Sequence, residues 1–210
     1  MIRILLADDH AVVCQGLRKI LSEGLEAVAF GEAGDGRQTL RAAADGAWDL
    51  VIMDLHMPGM EGLDLLVRLR RAKPQVPVLV LSFHPEDGYA LRALKAGAAG
   101  YLTKETVPER LCDAVRQVLH RGRYISPPLA EKLLGELTGE TLRFGHDSLS
   151  DREFQVLRLI GSGKTGGEIA RTLFLSPKTV STYRTRLLEK LRMRNTAELI
   201  RYALDHRLVD

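Results

Sequence analysis

The sequence lacks long apolar runs. An apolar segment opens the chain, but it meets Asp8 and Asp9 almost at once, so the first 20 residues hold no hydrophobic segment of signal-peptide length. No later stretch approaches the length of a membrane span. We therefore expect a soluble protein that stays in the cytoplasm.

Cysteine is also scarce. Cys14 and Cys112 are the two cysteines of the chain, and each stands among Val, Leu and Ala. Small thiols in such surroundings are common in hydrophobic cores. The pattern favours two inert core residues over a disulfide or a redox pair.

The sequence also lacks a histidine metal-binding motif and a true phosphate-binding loop. The six histidines are scattered without the spacing of metal ligands. Residues 161–166 form a literal G-x-G-x-x-G, but a P-loop would need glycine where Arg158 stands. Either motif must follow a strand, and 154–160 has a helical pattern. We therefore expect no nucleotide site.

The N-terminal part of the sequence predicts an α/β domain. The 210 residues are 45% hydrophobic and 27% charged, an ordinary globular balance. Over 1–122, short apolar runs alternate with amphipathic stretches, which indicates five β-α units. The apolar runs lack polar alternation, as in strands covered by helices on both faces, so we predict a doubly wound five-stranded parallel sheet. The predicted strands are Ile2–Ala7, Ala27–Ala33, Leu50–Asp54, Val76–Ser82 and Ala98–Leu102.

The rest of the chain predicts a linker and an all-α domain. We interpret 123–148 as a linker, with a short helix near Pro128–Leu137 and an aperiodic polar stretch after it. Residues 149–210 have a helical pattern throughout. The predicted helices are 151–161, 166–173, 177–191 and 195–206. The two central helices are joined by three residues, which is typical of a helix-turn-helix.

Three of these helix starts are marked by local chemistry. Ser150 and Thr165 each have a glutamate three residues later, which is the capping-box pattern. Ser176 followed by Pro177 marks a third start, because serine favours the N-cap and proline fits the first turn.

Polar side chains follow the predicted strands. Asp8 and Asp9 follow the first strand, Asp54 ends the third, Ser82 ends the fourth and Lys104 follows the fifth. Ligands of a doubly wound sheet bind beyond these strand ends. Three converging carboxylates need a counter-ion, and Mg²⁺ prefers such oxygen ligands. We predict Asp54 to be an exposed nucleophile for a phosphoryl group, although an aspartate pair alone could simply cap the next helix.

With those five residues in that order, residues 1–122 closely resemble the flavodoxin-like receiver domain of two-component response regulators. The resemblance implies Asp54 as phospho-acceptor, Lys104 and Ser82 as its catalytic partners, and Asp8, Asp9, Asp54 and the backbone carbonyl of His56 as Mg²⁺ ligands. It also implies that Tyr101, a partly buried ring at the end of the fifth strand, swings inward when Ser82 moves toward the phosphoryl group. Chemistry beyond self-catalysed transfer to Asp54 and hydrolysis from it is not implied, so we do not expect an enzyme.

Phe83 is bulky where many receiver domains have a small residue. We hypothesise that Phe83 and His84 restrict the water that would hydrolyse the phosphoryl group. A Mg²⁺-dependent phosphohydrolase with an aspartyl nucleophile is a rival interpretation. Such an enzyme would need a second carboxylate two residues after Asp54, where this chain has His56. Another alternative is a phosphorylation-independent DNA binder whose receiver serves only for dimerisation.

The basic residues concentrate in the second domain. Residues 1–125 carry 16 Lys or Arg and 16 Asp or Glu, whereas 148–210 carry 12 and 7. Such an excess suits a polyanionic partner, although charge alone leaves a solvated helix face equally open.

The second domain resembles the LuxR-type helix-turn-helix of the NarL/FixJ subclass. The matching residues are Leu149-Ser150-x-Arg152-Glu153, Glu168-Ile169-Ala170, Leu173, Leu175-Ser176, Thr179-Val180, Lys190-Leu191, Asn195 and Glu198-Leu199. The resemblance makes 177–191 the recognition helix. The predicted DNA contacts are Lys178, Thr179, Ser181, Thr182, Arg184, Thr185, Arg186 and Lys190. The expected partners are a sensor histidine kinase, double-stranded promoter DNA and a second copy of the chain in an active homodimer.

Overall fold

The computed structural model describes residues 1–58, 60, 62–83, 86–138, 145–206, 208 and 209. It divides into two compact units, Met1–Leu137 and Thr138–Asp210. In the described part of the chain, no helix has both the length and the apolar character needed to cross a membrane.

The first unit is built on a five-stranded sheet. Its strands are β1 (Ile2–Ala7), β2 (Val28–Ala33), β3 (Leu50–Asp54), β4 (Val78–Ser82) and β5 (Gly100–Thr103). They lie in the order β2-β1-β3-β4-β5, and every neighbouring pair is parallel. The predicted doubly wound parallel sheet is therefore confirmed. Both β3 and β4 are buried along their whole length, which explains why their sequences show no alternation.

Helices cover both faces of this sheet. They are α1 (Ala11–Gly24), α2 (Gly36–Asp45), α3 (Gly62–Ala72), α4 (Glu86–Lys95) and α5 (Val107–Arg121). Helix α6 (Pro127–Thr138) follows them along the chain. Contacts join α1 to α5 and join α2, α3 and α4 in series, so each group occupies one face. Cys14 and Cys112 lie in or against the core and are both free thiols, as predicted. Burial raises the pKa of Cys14 to about 11, which keeps the thiol protonated and unreactive.

Three predicted strands begin later in the structure than in the sequence pattern. Ala27 has a left-handed φ of 50°, so the extended strand starts after it. Val76 belongs to a turn, because its N–H donates to the carbonyl of Lys73. Ala98 closes the end of α4, where its N–H donates to Ala93 at 2.9 Å, and β5 consequently starts at Gly100.

The first half of the predicted linker packs on the first unit. Tyr124 is 6% exposed, and its N–H donates to the carbonyl of Ala99 at 2.8 Å. Gly100 lies so close to Tyr124 that a Cβ there would meet it at 2.9 to 3.0 Å. Leu129 in α6 is fully buried. The division between the units accordingly falls after Leu137, within the segment that we interpreted as one linker.

The second unit is all-α. After a 3-10 turn at Gly145–Ser148 come α7 (Asp151–Gly161), α8 (Gly166–Thr172), α9 (Pro177–Lys190) and α10 (Thr196–Asp205). These bounds agree with the predicted helices to within one residue. Both predicted capping boxes form, and the hydroxyl of Ser176 accepts the N–H of Thr179 at the start of α9.

Candidate functional site

The carboxyl ends of β1 and β3 meet where the winding of the sheet reverses. The chain runs from β1 outward to β2 and then returns to β3 on the opposite side of β1. The register pairs Ala7 with Met53, so Asp8 and Asp54 come next on adjacent strands. Ligands of doubly wound sheets bind at such a reversal.

Four side chains form a cluster at this point. Asp8, Asp9, His10 and Asp54 each offer one ligand atom, and these atoms lie within 4.8 Å of one another. Carboxylate oxygens dominate the set, which suits a hard divalent cation such as Mg²⁺. The three carboxylates were predicted from the sequence. His10 was not.

His10 is held by the aspartates of the cluster. Its Nδ1 lies 2.9 Å from Oδ1 of Asp9 and 3.3 Å from Oδ1 of Asp8. Histidine spacing along the chain does not single it out. Its position directly after the aspartate pair, at the N-cap of α1, is the signal that could have found it.

Lys104 joins the two buried carboxylates. Its Nζ donates to Oδ2 of Asp8 at 2.6 Å and to Oδ2 of Asp54 at 2.8 Å. The Lys104 side chain is only 5% exposed. Burial disfavours its charge, but the hydrogen bonds and charges of Asp54 and Asp8 outweigh that effect and raise the pKa of Lys104. The ammonium group is thus the internal counter-ion of the cluster.

Asp54 is buried, so its predicted exposure was wrong. It is 3% exposed, because Lys104 occupies one of its oxygens and the segment after β3 folds over the other. In that segment, the N–H of His56 donates to Oδ1 of Asp54 at 3.1 Å. Both carboxylate oxygens of Asp54 therefore accept hydrogen bonds in the structure.

Ser82 and Tyr101 lie on the neighbouring strands. Both are fully buried, with 0% exposure. The carbonyl of Ser82 accepts the N–H of Lys104 at 2.7 Å, which fixes the end of β4 against β5. The expectation of a partly exposed Tyr101 was wrong, because β5 packs its ring wholly into the domain. The structure therefore holds this ring in an inward position.

Phe83 covers the ammonium group of Lys104. The ring centroid lies 4.8 Å from Nζ, within the range of a cation–π contact. Phe83 itself is 62% exposed, so one face of the ring meets solvent while the other meets Lys104. The hypothesis on water access also named His84, which lies outside the described residues.

In the second unit, α9 presents a polar face opposite an apolar one. Val180 and Leu187 are buried against α7 and α8. The exposed members of the predicted DNA-contact set are Lys178, Ser181, Thr182, Arg184, Thr185, Arg186 and Lys190. The hydroxyls of Thr182 and Thr185 donate back to helix carbonyls, which leaves their oxygens as acceptors toward the outside.

Two predicted contact residues are engaged within the unit. The hydroxyl of Thr179 lies 2.8 Å from that of Ser176, and Thr179 is half-buried. Nζ of Lys190 donates to Oε2 of Glu153 at 2.7 Å, and Glu153 also caps α7 through Ser150. The sequence indicated Glu153 as a capping residue and as part of the LuxR-type pattern, and its pairing with Lys190 becomes visible only when α7 packs on α9.

Two family models match the chain. The response regulator receiver domain matches residues 4–116, which is more than half of the chain and contains the carboxylate cluster. The model of bacterial regulatory proteins of the luxR family matches residues 147–203, which contain α9. The chain belongs to the response regulators, in the NarL/FixJ subclass.

Relatives of this response regulator share its whole length. The response regulator GacA of Pseudomonas aeruginosa is 40% identical over 213 residues, covering 100% of this chain and 99% of that protein. The response regulator UvrY of Escherichia coli K12 is 36% identical over 209 residues, covering 99% and 96%. These relatives therefore match the regulator across both of its units.

Solved structures of RcsB, among them one from Salmonella enterica serovar Typhimurium, resemble the response regulator. RcsB bound to the promoter rprA with the phosphomimetic BeF₃⁻ is 29% identical, with a TM-score of 0.75 over 96% of this chain and 98% of that chain. A structure of two RcsB dimers bound to two parallel DNAs is 27% identical, with a TM-score of 0.74 over 96% and 97%. The regulator is a DNA-binding transcription regulator of the same type.

Proposed function

We propose that this regulator accepts a phosphoryl group on Asp54 from a sensor histidine kinase and thereby controls its binding to promoter DNA. The observation that carries the proposal is the pairing of Asp54 with Lys104 beside Asp8 and Asp9. A carboxylate oxygen of Asp54 would attack the phosphorus of a phosphohistidine. The P–N bond breaks, the imidazole leaves, and Asp54 becomes an aspartyl phosphate.

Lys104 and Ser82 would stabilise the transferred phosphoryl group. The Lys104 ammonium neutralises Asp8 and Asp54 in this structure. After transfer it would donate a hydrogen bond to a phosphoryl oxygen and so stabilise the negative charge there. The Ser82 hydroxyl, at the end of the adjacent strand, would donate to a second oxygen. Both residues contact the reacting group, so we assign them as catalytic partners of Asp54.

The acidic cluster fits a Mg²⁺ ion. Asp8, Asp9, Asp54 and the backbone carbonyl of His56 would hold it, and its oxygen-rich donor set is the one Mg²⁺ prefers. When bound, the ion would offset the negative charge that develops on the phosphoryl oxygens during transfer. His10 occupies the rim of the same cluster and orients Asp9 by its 2.9 Å contact.

Tyr101 and Ser82 would form the switch. The structure has the Tyr101 ring fully inward, and the carbonyl of Ser82 already ties β4 to β5 beside it. We propose that the phosphoryl group stabilises this inward arrangement through Ser82. An outward ring would then belong to the unphosphorylated population, and the exchange would remodel the surface of β4 and β5.

The second unit would bind promoter DNA through α9. Ser181, Thr182 and Thr185 would face base edges, and Lys178, Thr179, Arg184 and Arg186 would contact phosphates or nearby bases. Lys190 stays in this set because its side chain is 40% exposed, but its pairing with Glu153 makes its contribution the smallest. The RcsB dimers on DNA support a dimeric DNA complex for this regulator as well.

Organisation and location follow from the same proposal. We assign 1–122 to the receiver domain, 123–148 to the connection and 149–210 to the DNA-binding domain. Residues 124–137 pack with the receiver unit, so the connection is anchored on one side. A protein that receives phosphoryl groups from a kinase and delivers its output to promoter DNA would act in the cytoplasm.

The test is phosphorylation by a small donor. The full-length regulator is incubated with acetyl phosphate and Mg²⁺, and intact mass is measured for the wild type and for Asp54→Ala. We expect one added phosphoryl mass on the wild type and none on the variant. A wild type that stays unmodified, yet binds DNA equally with and without the donor, would instead favour a phosphorylation-independent DNA binder. Continuous release of phosphate without a stable adduct would favour a phosphohydrolase.

A further inference from the structure

Phe174, in the turn between α8 and α9, combines two unfavourable features. It is 96% exposed, more than any other large hydrophobic side chain in the described part of the chain. Its φ of 53° also lies in the left-handed region. A residue with a Cβ rarely adopts this backbone conformation, and Gly or Asn adopts it most readily.

The stability of the second unit does not explain why a phenylalanine stands at position 174. The turn of a helix-turn-helix often contains glycine, which would take the left-handed conformation without strain. The exposed ring of Phe174 also gains almost nothing from burial in the folded regulator. Backbone outliers of this kind cluster at functional sites.

The backbone of the turn is anchored on both sides of Phe174. On one side, the N–H of Leu175 donates to the carbonyl of Ala170 at 2.8 Å, so the backbone closes onto α8. On the other side, the hydroxyl of Ser176 accepts the N–H of Thr179 at 3.1 Å and starts α9. Phe174 is therefore an exposed ring on a well-anchored turn rather than part of a loose loop.

The location of the turn identifies duplex DNA as the partner. Phe174 stands three residues before Pro177, the first residue of α9, and the N-terminal end of a recognition helix is the part that enters the major groove. Exposed cations flank the turn at Arg171 and Lys178, which suits a polyanion and disfavours an apolar protein surface. Phenylalanine can contact the 5-methyl group of thymine in that groove.

We propose that Phe174 is a DNA-contact residue, whose ring packs on apolar atoms of the duplex beside the first turn of α9. Those atoms are either a thymine methyl group or the deoxyribose next to it. The inference rests on the proposed docking of α9 in the major groove. It adds an apolar contact to a set that sequence patterns restricted to polar and basic residues.

The test compares DNA affinity with stability. The probe is a duplex enriched from a random-sequence pool by the full-length phosphorylated regulator. For Phe174→Asn and Phe174→Gly we expect an affinity about tenfold weaker, as for the loss of a base-edge contact. The melting temperature should stay equal or rise, because both residues relieve the left-handed strain. Phe174→Trp, which keeps an aromatic ring, should retain most of the affinity.

Ala27→Gly is the matched control. Ala27 has a similar φ of 50° but lies in the first unit, so glycine relieves the same kind of strain away from the DNA. Its affinity for the duplex should equal that of the wild type. Equal affinity of Phe174→Asn and the wild type would overturn the proposal. So would a loss of affinity that goes together with a lower melting temperature.

Two further measurements identify the DNA atoms that Phe174 contacts and test the docking of α9. Replacing thymine by uracil in the duplex removes the 5-methyl group; a loss of affinity for the wild type but not for Phe174→Asn assigns the contact to that methyl. No loss for the wild type, with Phe174→Asn still weaker, assigns it to deoxyribose. Arg184→Ala tests α9 docking itself, because an unchanged affinity there rejects the docking and not only the Phe174 contact.

Discussion

At the scale of single residues, Lys104 connects Asp8, Asp54 and Phe83 of the proposed phosphoryl site. It binds Asp8 and Asp54 through two short hydrogen bonds, and the ring of Phe83 covers its ammonium group. On the proposed function, a phosphoryl group on Asp54 would share this cation. Any side chain that holds Lys104 in place would then also affect the lifetime of the aspartyl phosphate.

Phe83 should lengthen the lifetime of the phosphorylated regulator. Phe83→Ala removes the ring from Lys104 and opens the site to water, so we expect autodephosphorylation about fivefold faster, as for the loss of a cation–π contact of about 1 kcal/mol. Phe83→Tyr keeps the ring face and should retain the wild-type lifetime. The half-life is measured by the decay of the phosphorylated intact mass after removal of the donor. An unchanged half-life in Phe83→Ala would contradict the role of the ring.

The sequence shows single residues of the site better than it shows their contacts. Asp8, Asp9, Asp54, Ser82 and Lys104 are predictable because each stands at a strand end that the apolar pattern marks. The burial of Asp54 and the position of the Phe83 ring depend on how loops fold over the strand ends. That packing joins residues far apart in the chain, as in the 96-residue separation of Lys104 and Asp8.

At the scale of helices, the second unit depends on a buried carboxylate. The side chain of Glu153 is 4% exposed, accepts from the backbone and hydroxyl of Ser150, and pairs with Lys190 at 2.7 Å. It thus caps α7 and ties α7 to α9. Burial opposes its charge, but the hydrogen bonds and the charge of Lys190 prevail and lower the pKa of Glu153.

Glu153→Gln should destabilise the second unit by about 1–2 kcal/mol near neutral pH, because the amide loses a charged hydrogen bond in a buried site. The lowered pKa means that this contribution is full above the ordinary value of 4.5 and disappears as the pH falls through the lower folded value. The gap between variant and wild type should therefore close in acid. Urea titrations of the full-length regulator, followed by the NMR methyl signals of Ile160 and Leu187, measure it.

Glu168→Gln is the control for that prediction. Glu168 forms the same capping box with Thr165 at the start of α8, but on the exposed surface. Its substitution should have a clearly smaller effect. Equal effects of the two substitutions would mean that capping alone, and not the buried pairing with Lys190, gives Glu153 its importance. Both boxes were predictable from the sequence because capping is local, whereas the Lys190 pairing spans 37 residues.

At the scale of the whole molecule, the two units differ in charge. Residues 1–125 balance 16 basic against 16 acidic residues, while 148–210 have 12 against 7. The phosphoryl chemistry needs a local acidic cluster, which a neutral domain can carry. DNA binding needs a net positive surface, so the electrostatic part of the affinity belongs to the second unit.

The salt dependence of DNA binding should distinguish a basic residue that contacts DNA phosphates, such as Arg184, from one that is paired within the unit, such as Lys190. Each phosphate contact releases counterions, so affinity falls as the salt concentration rises. Arg184→Ala should make the negative slope of log affinity against log salt less steep by about 1. Lys190→Met should change that slope less, because its ammonium is already paired with Glu153 in the folded unit. Fluorescence anisotropy of a labelled selected duplex, measured with the full-length regulator at several salt concentrations, gives both slopes. A salt dependence that weakens equally in the two variants would show that Lys190 leaves Glu153 to bind the DNA. An unchanged salt dependence in Arg184→Ala would remove Arg184 from the phosphate contacts, and an unchanged affinity as well would reject the docking of α9.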